Sequence, residues 1–282
     1  HETPLFGWLG EPTESRTISA MRARAAALAL LLCAVAASAV WVAGRLARGG
    51  HPDELRMALV WALPGVVFLS GHVLLRRREA QPSLGATPRA LPWIGVALAL
   101  DVAPLGLALG LGWITLTYGD QTLAATRGRT ALWALPLLLF VGVRFWERTL
   151  RARLLEAASS GFGERAGWVM AITCGTLLAL PGIAPGLDAP ERPFFLAALA
   201  TAAAREIACT ALYRGGGLVS AGLYRGVLAY IDGYLIHDWL SPVFPSANYV
   251  TSTDAFYVRR AAGPVAAATL LLVALRRRRA AA

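Results

Sequence analysis

Charged side chains set among apolar runs are where this sequence could do chemistry. Asp101, Arg144, Glu147, Arg151, Arg205, Glu206, Arg225 and Asp232 fall within or at the ends of segments that otherwise carry almost no charge. In hydrocarbon each costs roughly 2.5–3.5 kcal/mol by insertion scales, so each asks for a partner. A carboxylate in such a place can act as a general base or pair with an arginine. Arginine stays protonated at any working pH and can only hold negative charge in place. Arg205 and Glu206 are neighbours. One residue of α-helix turns through about 100°, so they point apart and need different partners. Asp101, Arg205, Glu206 and Asp232 are read as buried charges. Two roles stay open for them: ion pairs that hold a helical bundle together, and a substrate or proton site.

Other chemistry lacks its residues. There is no glycine-rich phosphate loop, HExxH or GxSxG elbow. Cys33, Cys174 and Cys209 all lie in apolar blocks without a CxxC pair, so neither a disulfide nor a metal site is expected. Of the four histidines, only His72 and His237 lie near apolar segments. Either alone could ligate a pigment or haem. They fall toward opposite membrane faces, which argues against a bis-histidine haem, and the reading adopted is no cofactor. The Gly215–Gly216–Gly217 run reads as a turn.

The elements that must position these charges are membrane helices. Of 282 residues, 56% are hydrophobic and 16% charged, and the mean hydropathy is +0.54. Soluble domains carry roughly 25% charged residues. The apolar residues come in blocks long enough to cross a bilayer as helix. Eight spans are predicted, at about 24–46, 57–75, 91–117, 130–146, 167–187, 193–213, 217–237 and 261–275. The expected fold is thus an all-α polytopic membrane bundle over 24–275. A polar segment, 1–23, precedes it and a basic tail, 276–282, follows. The first residue is His1, so the true start is expected upstream, and the polar first twenty residues do not read as a signal peptide.

Every basic residue except histidine is arginine. The net charge of +10 brings nucleic acid to mind, but no basic stripe interleaved with aromatics exists. The arginines instead sit in alternate connections: Arg16, Arg22 and Arg24; Arg76 to Arg78 and Arg89; Arg148, Arg151, Arg153 and Arg165; Arg214; and Arg276 to Arg279. The positive-inside rule places these connections and both termini in the cytoplasm. Asp120, Asp188, Glu191, Asp238 and Asp254 mark the outer connections, although Arg45, Arg48, Arg259 and Arg260 also fall there. The stretch 148–166 is expected along the cytoplasmic face. The outer loop 238–260 carries Pro242, Pro245 and five aromatics suited to a membrane interface.

The stretch LYRGGGLVSAGLYRGVLAYIDG, residues 212–233, resembles the third-motif region of the CAAX-processing and bacteriocin-processing endopeptidases (the CPBP or Abi family of intramembrane proteases). The likeness covers roughly 130–275 and includes the layout of spans. It implies a family bundle of about eight spans. It also implies a first motif on WERTLR, residues 146–151, and a second within TLLALPGIAPG, residues 176–186. Glu147 and Arg151 match the family's EExxxR, and in an active enzyme they would be catalytic. The other positions depart from the pattern. Trp146 replaces the leading glutamate, Pro181 and Leu177 the histidine and phenylalanine of FxxxH, and Arg225 and Ala229 the histidine and asparagine of HxxxN. Family enzymes use glutamate and histidine to activate water, which neither arginine nor proline can do. Arg225 is expected to pair with Glu147 or Glu206 where the ancestral site stood.

These residues point first to a non-catalytic relative acting as a scaffold or accessory subunit of a larger complex in a bacterial inner membrane. Its expected partners are the lipid bilayer and other membrane proteins. An active endopeptidase with a rearranged glutamate site is the alternative, and a transporter using the buried charges a further one. Pro64, Pro104, Pro136 and Pro181 could break spans for transport, but the two halves show no symmetry.

Overall fold

A computed structural model of the chain describes residues 12–48, 63, 65–67, 69, 87–111, 114–117, 134–183, 192–231, 246–249 and 261–280. Most of the expected second span lies outside these residues, as do His72, His237, Asp232 and all but four residues of the loop 238–260.

The described chain is almost wholly helical. Helix α1 is Pro12–Arg48 and α2 is Thr87–Gly110. Helix α3 covers 134–141 and runs directly into α4, Gly142–Leu155, which is π-wound, and then α5, Glu156–Phe162. Helix α6 is Glu164–Ile183, α7 is Arg192–Tyr230 and α8 is Ala262–Ala280. Among the described residues, three stretches are long and apolar enough to cross a membrane, Ile18–Val42, Pro88–Ala108 and Phe195–Tyr230. Large apolar side chains face outward on many of the helices, among them Leu30, Leu69, Val96, Leu107, Phe140, Val169, Leu196 and Val273. That is the surface a lipid-facing bundle presents.

Two glycines turn the chain back on itself. Gly217 has φ 82° and ψ −175°, which interrupts α7. On a straight helix, Glu206 and Arg225 would lie about 28 Å apart at 1.5 Å per residue. Their side chains hydrogen-bond at 2.5 Å, so α7 is a hairpin of two arms, 192–216 and 218–230, as the glycine run predicts. The second reversal is at Gly163, φ 93°. Glycine is favoured at both places because a side chain is strained at such φ. After Gly163, α6 runs back along α5. Gly167 lies so close to Ser159 and the Leu155 carbonyl that a Cβ would not fit there.

Among the described residues the packing divides into two apolar cores. One joins α2, α7 and α8 around Ile94, Ala97, Ala208, Leu212, Tyr224 and Leu271. The other joins α1, α4 and α6 with Leu63 and Val67, around Leu28, Leu32, Leu150, Leu154 and Leu178. Helices α4 and α6 on the second side pack against α7 on the first.

Several sequence expectations change. The polar residues from Pro12 onward are wound into α1, ahead of the apolar stretch. The third span stops at Gly110 instead of continuing to 117. There, Ile114–Thr117 forms β1, which pairs antiparallel with β2, Ser246–Tyr249, in the register Ile114↔Tyr249 to Thr117↔Ser246. β-branched Ile114, Thr115 and Thr117 suit a strand. The first part of the stretch 148–166 is not on the surface, while Ser160 and Phe162 to Arg165 are exposed. Thr149, Leu150, Arg151, Arg153, Leu154 and Leu155 are all buried, because this part of the chain continues the helix from α3 and packs between α1, α6 and α7. At the far end, α8 carries the basic tail to Ala280 as helix.

Candidate functional site

Where the two cores meet, four charges close a ring. Glu147 and Arg151 come from α4, Glu206 from the first arm of α7 and Arg225 from the second. Arg225 donates from Nε to Glu147 Oε1 and from Nη2 to Glu206 Oε1, each at 2.5 Å. Arg151 Nη2 donates to Glu206 Oε2 at 2.5 Å and to the Glu206 carbonyl oxygen at 3.1 Å. The ring closes between Arg151 Nε and Glu147 Oε2, 3.4 Å apart. Two acids and two bases sum to zero. That balance allows full burial, since an unpaired ion costs several kcal/mol away from water. The Glu147 and Arg151 side chains are completely buried and that of Glu206 is 4% exposed. Arg225 reaches in with 21% exposure, its guanidinium carbon 5.6 Å from the centre of the Trp146 ring in a cation–π contact.

Glycines set the distance between the helices. A Cβ at Gly142 would stand 3.0 Å from the Gly222 carbonyl oxygen, one at Gly222 2.7 Å from Val143 Cα, and one at Gly226 2.8 Å from Leu139 Cα. These are backbone contacts and cannot yield. The Gly222-x-x-x-Gly226 spacing therefore lets the second arm of α7 lie directly on α3 and α4, as small-xxx-small stripes do in membranes. Arg225, between those glycines, is thereby brought within reach of Glu147. From α6, Gly175 lies against the Glu206 carboxylate, where any side chain would collide with it.

A second cluster lies inside the α2–α7–α8 core. Arg205 forks onto Asp101, Nε to Oδ2 at 3.0 Å and Nη2 to Oδ1 at 2.6 Å, and the Tyr224 hydroxyl donates to Oδ2 at 3.0 Å. Bidentate geometry of this kind makes a strong and directional pair. Asp101 is 3% exposed overall, and the Arg205 side chain 20%. Neighbouring Arg205 and Glu206 thus serve different clusters, as their divergence on the helix predicts.

The candidate residues sort accordingly. Glu147, Arg151, Glu206 and Arg225 come together, and the two pairings expected for Arg225 both form. Trp146 borders the ring. Ala229, one turn beyond Arg225, is exposed and takes no part. Pro181 lies near the end of α6, six residues beyond Gly175, and it is Gly175 that meets the ring. Arg144 is exposed rather than buried. Tyr224, Gly142, Gly222 and Gly226 are additions; the Gly222-x-x-x-Gly226 spacing is a signal that could have found two of the glycines, while Gly142 and Tyr224 needed the fold. Among the described residues no cluster of His, Cys, Asp and Glu could hold a metal ion.

The ring's chemistry is restrictive. Three of its four carboxylate oxygens accept an arginine hydrogen bond, and the fourth faces Arg151 Nε. Their lone pairs are thereby committed to arginine donors rather than to a water molecule. Helices α3 to α7, which build the ring and its walls, contain no histidine.

No protein-family model matches the chain, and no curated protein or solved structure does either.

Proposed function

We propose that this chain is a multi-pass inner-membrane protein that acts without catalysis, as a scaffold or accessory subunit of a larger membrane complex. The observation that carries the reading is the neutral ring of Glu147, Arg151, Glu206 and Arg225, in which the carboxylates needed to activate water are held by arginines. In the endopeptidase resemblance, Arg225 stands at a histidine position and Glu147 at a retained glutamate. The proposed descent is from such a protease, with an ion ring replacing the site.

Eight spans with both termini inside is the topology proposed. The connections expected in the cytoplasm touch one another: Arg22 donates to the Gly161 carbonyl at 2.6 Å, and Arg214 to Glu156 at 2.9 Å. Gly216 packs on Ala90. β1, at the expected outer end of the third span, meets β2 in the expected outer loop 238–260. Each pairing joins segments separated by an even number of crossings, as the proposed topology requires.

Gentle purification from the native membrane tests the function. The expected result is one or more stoichiometric companions that survive gel filtration. A Glu147→Gln variant should leave the size and processing of those companions unchanged. A chain that emerges alone, together with a protein that accumulates uncut in the Glu147→Gln strain, would establish an active protease instead.

A further inference from the structure

An apolar cleft opens where the start of α2, the turn of α7 and the end of α8 converge. Ala90 and Trp93, Gly215 and Gly216, and Leu271 and Leu275 form its walls. Arginines directly adjoin its lining residues in the sequence. Arg89 directly precedes Ala90, and Arg276 and Arg277 directly follow Leu275; all three side chains are exposed. The first turn of α2, which opens onto the same place, carries no acidic residue, and a helix N-terminus favours an anion. A site walled by aliphatic side chains and adjoined by arginines matches one ligand chemistry in a membrane, a hydrocarbon chain bearing an anionic headgroup.

We propose that this cleft binds an anionic phospholipid, an acyl chain lying against Trp93 and Leu271 and the phosphate meeting Arg89, Arg276 and Arg277. The site is separate from the ion ring and does not depend on whether the protein is a scaffold or an enzyme. Gly215 makes the apolar half testable, since it lines the cleft and a Cβ there meets nothing within 4 Å.

The full chain, delipidated in detergent, is titrated with dioleoylphosphatidylglycerol or dioleoylphosphatidylcholine and read by native mass spectrometry. One phosphatidylglycerol should be retained at least about tenfold more tightly than phosphatidylcholine, given about 1 kcal/mol for each basic residue at a membrane surface. Arg89→Gln, Arg276→Gln and Arg277→Gln together should remove that preference, and Gly215→Phe should lower the occupancy of both lipids. Glycerol 3-phosphate should not displace the bound lipid. Equal binding of the two lipids by the native chain, a triple variant that keeps its preference, or displacement by glycerol 3-phosphate would each overturn the proposal. The triple variant alters exposed residues only, so it remains decisive if Gly215→Phe fails to fold.

Discussion

The ion ring and the Asp101 cluster solve the same problem in different ways. Both bury carboxylates beside arginines, and both draw on α7. The Asp101 cluster lies within one apolar core and needs one acid, one arginine and a neutral hydroxyl. The ring lies between two cores and needs four full charges from α4 and both arms of α7. Losing the hydroxyl from the first leaves the charges balanced. Losing any member of the second strands a charge. The ring is therefore the more fragile and the more specifying of the two: its register fixes how the α4 side meets the α7 hairpin.

Glu206→Gln should break this contrast hardest. It removes the carboxylate shared by both arginines and leaves two cations against Glu147 alone. Removing one partner of a buried pair costs about 3–5 kcal/mol, read as a loss of the folded fraction when SDS is titrated into mixed micelles. Replacing Glu206 by Leu together with Arg151 by Met leaves the Glu147–Arg225 pair balanced, so the double variant should be more stable than either single one. Additive losses would mean that the four residues do not act as a ring.

Tyr224→Phe sharpens the comparison from the other side. Asp101 keeps both arginine hydrogen bonds and loses one from a hydroxyl. A hydrogen bond to a charged group contributes about 1.5–3 kcal/mol, and the loss should fall at the low end because the fork remains. A penalty as large as that of Glu206→Gln would mean that the two clusters are equally critical.

Much of this was readable in the residues, and what was not has identifiable causes. The family resemblance put Arg225 and Glu147 at motif positions, so Arg225 could be matched with Glu147 or Glu206 before any fold was known. The divergence of Arg205 and Glu206 followed from helix geometry alone. Which arginine meets which acid depends on helix separation, set by glycines at 142, 222 and 226 whose contacts are long-range. Arg151 and Arg153 read as loop arginines because burial depends on what packs over them, and the π winding of 142–155 leaves no periodic mark in so short a stretch. The second motif was sought at Pro181 from local pattern, whereas Gly175 meets the ring because its missing side chain makes room for Glu206.

Ala229 gives the smallest expected effect and the cleanest check on the boundary of the ring. In the family resemblance it occupies a catalytic asparagine position, only four residues and one helical turn beyond Arg225. Its side chain is nevertheless exposed, although it follows Gly222, Arg225 and Gly226 along the same helical face. Ala229→Leu should thus change stability by no more than about 0.5 kcal/mol, the usual range for surface substitutions, with the same SDS titration as readout. The same variant should keep its lipid preference, since the cleft lies at the opposite end of this arm. A loss of companion proteins at unchanged stability would have a different meaning: the exposed side of the second α7 arm would then be where the scaffold meets its partner.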